Sequence, residues 1–108
     1  MSRYRAGADF EREVRAHLVR DGYEVIRSAG SKTKVDLLAF KPGQVLIVQC
    51  KRNGAIGPAE RAEVVRIAGI IPTAVPVVAS RPKVTLQRLT GLGPRDREAL
   101  TTDMEAGK

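Results

Sequence analysis

A chain of 108 residues with 43% hydrophobic side chains can bury one modest core and not two. Nineteen Lys and Arg against twelve Asp and Glu leave a formal charge of +7, which favours a polyanionic partner, nucleic acid first among them. The lone cysteine, Cys50, excludes an internal disulfide framework and a cysteine-rich zinc site, and the few aromatics, Tyr4, Phe10, Tyr23 and Phe40, argue against a base-stacking platform.

In chain order, "AGADFEREVRAHLVRD" at 6–21 sets Phe10, Val14 and Leu18 four apart among charges, which predicts an amphipathic helix stopped by Gly22. "YEVIRS" at 23–28 reads as a strand, and "AGSKTK" as a polar loop. "VDLLAF" at 35–40 and "VLIVQCK" at 45–51 are strands joined by the Pro-Gly turn "KPGQ", so they are expected to pair antiparallel. Pro58 opens a second helix with Val64, Ile67, Ala68 and Ile71 on one side. "AVPVVAS" at 74–80 is a strand whose Pro76 suggests an edge or irregular position, and "KVTLQRL" at 83–89 is the last. The order is αβββαββ. From 93 on, apolar periodicity is lost, so the expectation is a folded domain over 1–92 and a loosely packed tail over 93–108. No run nears the roughly 18 apolar residues of a membrane span and no apolar signal core is seen, which predicts a cytoplasmic protein without membrane contact.

Asp36, Gln49 and Lys51 interrupt this pattern. An apolar strand has no use for a carboxylate, a carboxamide and an ammonium, and burying any of them unpaired costs several kcal/mol, to order of magnitude. Alternation puts Gln49 and Lys51 on one side of their strand, and the expected hairpin brings Asp36 within reach of both. One acid, one carbonyl oxygen and one cation at the end of a sheet suit a divalent cation held by hard oxygens, with a lysine beside the water or phosphate it activates. A second acid is wanted, and the first helix offers Glu11 and Glu13. The bland readings stand beside this one. "EREVR" also describes a solvated helix face laced with ion pairs, the strand charges an exposed strand end, and Cys50 and solitary His17 a small strand residue and a helix-surface residue.

The helix "YRAGADFERE", the strand and loop "VIRSAGSK", then "VDLLA" and "VQCK" together resemble the archaeal-type Holliday junction resolvases of the PD-(D/E)xK nuclease superfamily, which bacteriophages also carry. The similarity runs from about Tyr4 to Leu89. It implies an α/β, restriction-endonuclease-like fold with a central mixed sheet flanked by helices. It also implies a structure-selective endonuclease that cuts four-way DNA junctions by paired nicks as a homodimer. Glu11 matches the family's helical metal-binding acid, Arg12 its phosphate-contacting neighbour, Arg27 the basic residue closing the first strand and Ser31 a loop serine near the cleavage point. Asp36 matches the motif aspartate and Lys51 the motif lysine. Glu11, Asp36, Gln49 and the Cys50 backbone carbonyl would then hold Mg²⁺, with Mn²⁺ as a substitute and no small-molecule cofactor. Arg5, Arg12, Arg27, Lys32, Lys34 and Arg52 would contact DNA. Two features depart from the pattern: Gln49 stands where archaeal members carry glutamate, and one residue more separates Gly30 from Asp36. Two rivals follow: a related nuclease cutting flaps, mismatches or plain duplex, and a DNA-binding module whose nuclease site has decayed, with Gln49 as the symptom. For a viral member the host cytoplasm is the expected location.

Overall fold

The computed structural model describes residues 3–28 and 35–100, the first five of these as backbone alone. Helix α1 (Arg3–Arg20) leads into β1 (Glu24–Arg27), β2 (Leu37–Lys41) and β3 (Gln44–Cys50). Helix α2 (Pro58–Ile70) then crosses to β4 (Ala74–Ser80), followed by β5 (Thr85–Leu89) and β6 (Arg97–Ala99). The six strands form one sheet in the order β1-β2-β3-β4-β5-β6. Every neighbouring pair is antiparallel except β3 and β4, which are parallel. A parallel pair needs a long crossover, and α2 supplies it. This is the mixed sheet flanked by helices that the family resemblance implies.

Each helix covers one face. Phe10, Val14 and Leu18 of α1, at most 1% exposed, pack on Val25, Leu37, Ala39, Leu46 and Val48. Val64 and Ala68 of α2 pack on Ile47, Val78 and Leu89 on the other side. Strand alternation separates the two sets: Leu46 and Val48 face α1, whereas Ile47 between them faces α2. At roughly 1.5–3 kcal/mol for each fully buried large aliphatic side chain, these two layers are the main source of stability. Gly22, at φ 95°, ends α1 as its position predicts. The Gly22 N–H donates to the Val19 carbonyl and the Tyr23 N–H to the Leu18 carbonyl, a Schellman closure that carries the chain back into the sheet. Pro42 and Gly43, the latter at φ 80°, make the turn that sets Lys41 against Gln44.

Two expectations need correction. Pro76 does not mark an edge strand, because β4 lies inside the sheet between β3 and β5. Pairing with β5 begins only at Val77, so Pro76 stands where β4 has β3 alone beside it and its missing N–H is tolerated. The chain beyond residue 92 is also not wholly a loose tail, since β6 pairs with β5 and adds a strand to the predicted order. The cause is Arg61, a charged residue 2% exposed on the inner side of α2. Its guanidinium donates to the carbonyls of Gly91, Asp96 and Pro94 at 3.0, 2.9 and 3.4 Å, which satisfies it and folds the 91–96 turn onto the helix. Residues 101–108 lie outside the described residues. Among the described residues no helix is long and apolar enough to cross a membrane.

Candidate active site

The register of β2 on β3 sets Leu37 against Val48, and continuing it by one residue brings Asp36 level with Gln49. Backbone fixes Asp36 there. Its N–H donates to the Val48 carbonyl at 3.0 Å, and its own carbonyl accepts from the Ser28 N–H at 2.9 Å. Its carboxylate Oδ2 accepts from the Cys50 N–H at 2.9 Å. Gln49, two residues beyond Ile47, shares the α2 side of the sheet, and Lys51 follows it on that side.

On that side they meet a residue the sequence reading passed over. Glu60, in the first turn of α2, accepts on Oε2 from Gln49 Nε2 at 3.1 Å and from Lys51 Nζ at 2.7 Å. Its Oε1 accepts from the Gly57 N–H at 3.3 Å, half of a capping box whose other half a glycine cannot supply. A carboxylate only accepts, so the Gln49 amide must turn its nitrogen to Glu60. The amide oxygen Oε1 is thereby left buried without a hydrogen-bond partner, in a residue 6% exposed. An orphaned buried acceptor is costly by roughly 1–3 kcal/mol unless a donor or a cation meets it.

Glu11 approaches from the other helix. Arg27, at the end of β1, donates from Nε to Glu11 Oε1 at 2.9 Å. Glu13, the other acid of α1 that the sequence offers, instead pairs with Arg81, whose guanidinium lies 5.1 Å from the Phe10 ring centre. The electrostatics gather on Asp36. Burial pushes its pKa up, the Cys50 N–H opposes, Glu11 raises it further, Lys51 lowers it and Glu60 raises it, with about 6 as the result. Burial, and then Asp36 and Glu11, push the Cys50 thiol well above its ordinary value, which denies it thiolate chemistry and suits a strand residue.

The remaining predicted residues divide. Arg12 is exposed on α1 and bonded to Asp9 at 2.7 Å, and Arg52 is exposed in the loop after β3. Ser31, Lys32 and Lys34 lie outside the described residues, as does the side chain of Arg5. Among the described residues no three His, Cys, Asp or Glu side chains stand close enough to form a metal-binding group by themselves. What this end of the sheet does hold is oxygen donors from neighbouring elements: the Glu60 carboxylate beside the Gln49 amide whose oxygen is orphaned, and Asp36, whose carboxyl feels the charges of Glu11, Lys51 and Glu60. Hard divalent cations prefer such oxygens, so the residues present fit one.

Comparison with known proteins bears on family and fold. The profile of the family described as archaeal Holliday junction resolvase (Hjc) matches residues 2–70, more than half of the chain. A crossover junction endodeoxyribonuclease Hjc of Methanocaldococcus jannaschii is 55% identical over 51 residues, which span 47% of this chain and 38% of that protein. The crystal structure of Hjc from Archaeoglobus fulgidus, a Holliday junction resolvase, superposes with a TM-score of 0.68 over 95% of this chain and 97% of that one, at 22% identity. At that identity the likeness is one of fold. Through its matched profile, the chain belongs to the archaeal Holliday junction resolvase (Hjc) family.

Proposed function

We propose that this protein is a divalent-metal-dependent endonuclease that resolves four-way DNA junctions by paired nicks, acting as a homodimer. The observation that carries the reading is the position of Asp36, Gln49 and Lys51 at the same end of β2 and β3, where apolar strands would otherwise carry apolar residues. Family membership supplies the substrate class.

Glu11, Asp36, the side-chain oxygen of Gln49 and the backbone carbonyl of Cys50 would hold Mg²⁺, or Mn²⁺ in its place. When bound, the ion supplies Lewis acidity towards water and a phosphodiester oxygen. The chain's own residues do the rest. Asp36, fixed through backbone on both sides, orients the end of the sheet towards the scissile phosphate. Lys51 brings an ammonium to the negative charge that develops there, and its ion pair with Glu60 positions it in advance. Arg27, held by Glu11, places a guanidinium at the same end of the sheet. Arg12 and Arg52 extend the positive surface, with Arg5, Lys32 and Lys34 assigned to the same task by sequence alone. These groups engage phosphates and read no bases. Two opposing strands must be cut, and one copy of this site serves one strand, so a twofold dimer matches the roughly twofold junction.

The test separates cutting from binding. Asp36→Ala is expected to abolish junction cleavage while junction affinity is kept or tightened in a gel-shift titration, because a buried carboxylate repels phosphate. Loss of binding with a folded protein would assign Asp36 a structural role and remove the catalytic reading.

A further inference from the structure

Gln49 is the weak point of the proposed cation site: an amide in place of a second strand carboxylate removes one negative charge. Mg²⁺ is ordinarily held by one or two carboxylates with water and phosphate oxygens, and charge count sets much of the affinity. The structure shows where a replacement charge stands. Glu60 reaches the site from α2, a different element, and its Oε2 contacts both the amide that lacks the charge and the lysine that follows it, at 3.1 and 2.7 Å. Its position is set twice, by the cap to the Gly57 N–H and by the helix start at Pro58. The buried, unpartnered Gln49 Oε1 is an independent sign that a ligand is missing beside Glu60, since the amide nitrogen on one side of the group is satisfied and its oxygen is not.

We propose that Glu60 is a further acid of the site beside Asp36 and Glu11, a carboxylate delivered to the divalent cation from the N-terminal turn of α2 in place of one carried on β3. The proposal rests on the nuclease reading above and adds a residue to it. In the cation-free protein Lys51 neutralises Glu60. With a cation bound, Glu60 would offer its charge to the ion and Lys51 would be free to face the phosphate. Gln49 and Glu60 thus form one unit, the amide orienting the carboxylate through its N–H and offering its oxygen to the same ion.

The experiment is calorimetric titration of Mg²⁺ and of Mn²⁺ into the full chain, the Glu60→Gln variant and the double variant Gln49→Glu/Glu60→Gln, each with its melting temperature. Glutamine at position 60 can keep the bond to the Gly57 N–H, so the helix start survives the change. Glu60→Gln is expected to weaken Mn²⁺ binding about tenfold, and the double variant to recover it to within about threefold, because the carboxylate has only moved back to the strand. A loss below about threefold overturns the proposal, and so does a loss that the double variant fails to recover at unchanged melting temperature. A second readout needs no substitution: Mg²⁺ should shift the ¹³C signal of the Glu60 side-chain carboxylate together with that of Asp36. A Glu60 signal that stays in place while Asp36 moves refutes the assignment.

Junction cleavage by the unaltered chain is followed in parallel. Cation binding through Glu60 without junction cutting sinks the nuclease reading and upholds this assignment. Mg²⁺-dependent cutting with unchanged cation affinity in Glu60→Gln sinks this assignment alone.

Discussion

At the scale of single residues, Asp36 carries a cost that function explains better than folding does. Its pKa of about 6, against an ordinary 3.8, means that between those values the folded chain holds a proton the unfolded chain has released. Stability therefore falls as pH rises from about 4 to about 6, and the penalty is fully present above that window. Asp36→Asn keeps an acceptor for the Cys50 N–H and removes the charge. It is expected to melt higher than the unaltered protein at pH 8, by about 1–2 kcal/mol after allowance for partial exposure, with the two converging near pH 4. A variant no more stable at pH 8 would contradict the burial assigned to this group. Asp36, Gln49 and Lys51 were legible in the sequence because strand alternation and a Pro-Gly turn fix which side chains share a face. Glu60 was not legible. An acid in the first turn of a helix is what capping demands, so nothing in the sequence separates that duty from contact with a residue eleven positions earlier.

At the scale of elements, the pattern of apolar residues located α1, α2 and the first five strands to within a few residues. β6 escaped because the contacts that hold it are distant in sequence: Arg61 binds the carbonyls of the turn before it, and Arg97 of β6 donates to the Gly54 carbonyl and to Gln87 Oε1. Arg61 looks like an ordinary helix-surface charge in sequence, yet it points inward and is satisfied only by carbonyls that come from the 91–96 turn. Pro76 misled for the opposite reason: local rules against proline in inner strands hold per hydrogen bond, and here the neighbouring strand begins one residue later. The Arg61 contacts make a prediction about the end of the fold. Deleting residues 95–108 removes the Asp96 carbonyl and all of β6, which leaves Arg61 buried and short of acceptors. The truncated chain is expected to melt at least about 5 °C lower. An unchanged melting temperature would show that Arg61 finds solvent once the turn is gone.

At the scale of the whole molecule, two helices on opposite faces of one sheet bring their acids, Glu11 and Glu60, towards the same strand ends, while the strands bring Asp36, Gln49 and Lys51. An apolar cleft of about 280 Å³, walled by Ile26, Val35, Leu38, Ile67 and Ile71, opens beside Asp36. Of the apolar stretch "GIIPTAVPVV" at 69–78, Val77 and Val78 are core, whereas Ile70 is 66% exposed. The formal charge of +7 predicts junction binding that weakens steeply with salt. Neutralising about five phosphates would give a slope of about −4 to −5 in a plot of log affinity against log salt, little altered by junction sequence. A flat plot would remove the backbone-recognition account.

The measurement that reaches the central claim most directly is cleavage of equal amounts of an immobile four-way junction and a linear duplex of matching sequence, in Mg²⁺ or in EDTA, beside Asp36→Asn. Paired, metal-dependent cuts on opposing junction strands, with the duplex intact and the variant silent, are the predicted result. Equal cutting of both substrates, or tight junction binding with no cutting in either Mg²⁺ or Mn²⁺, would contradict it.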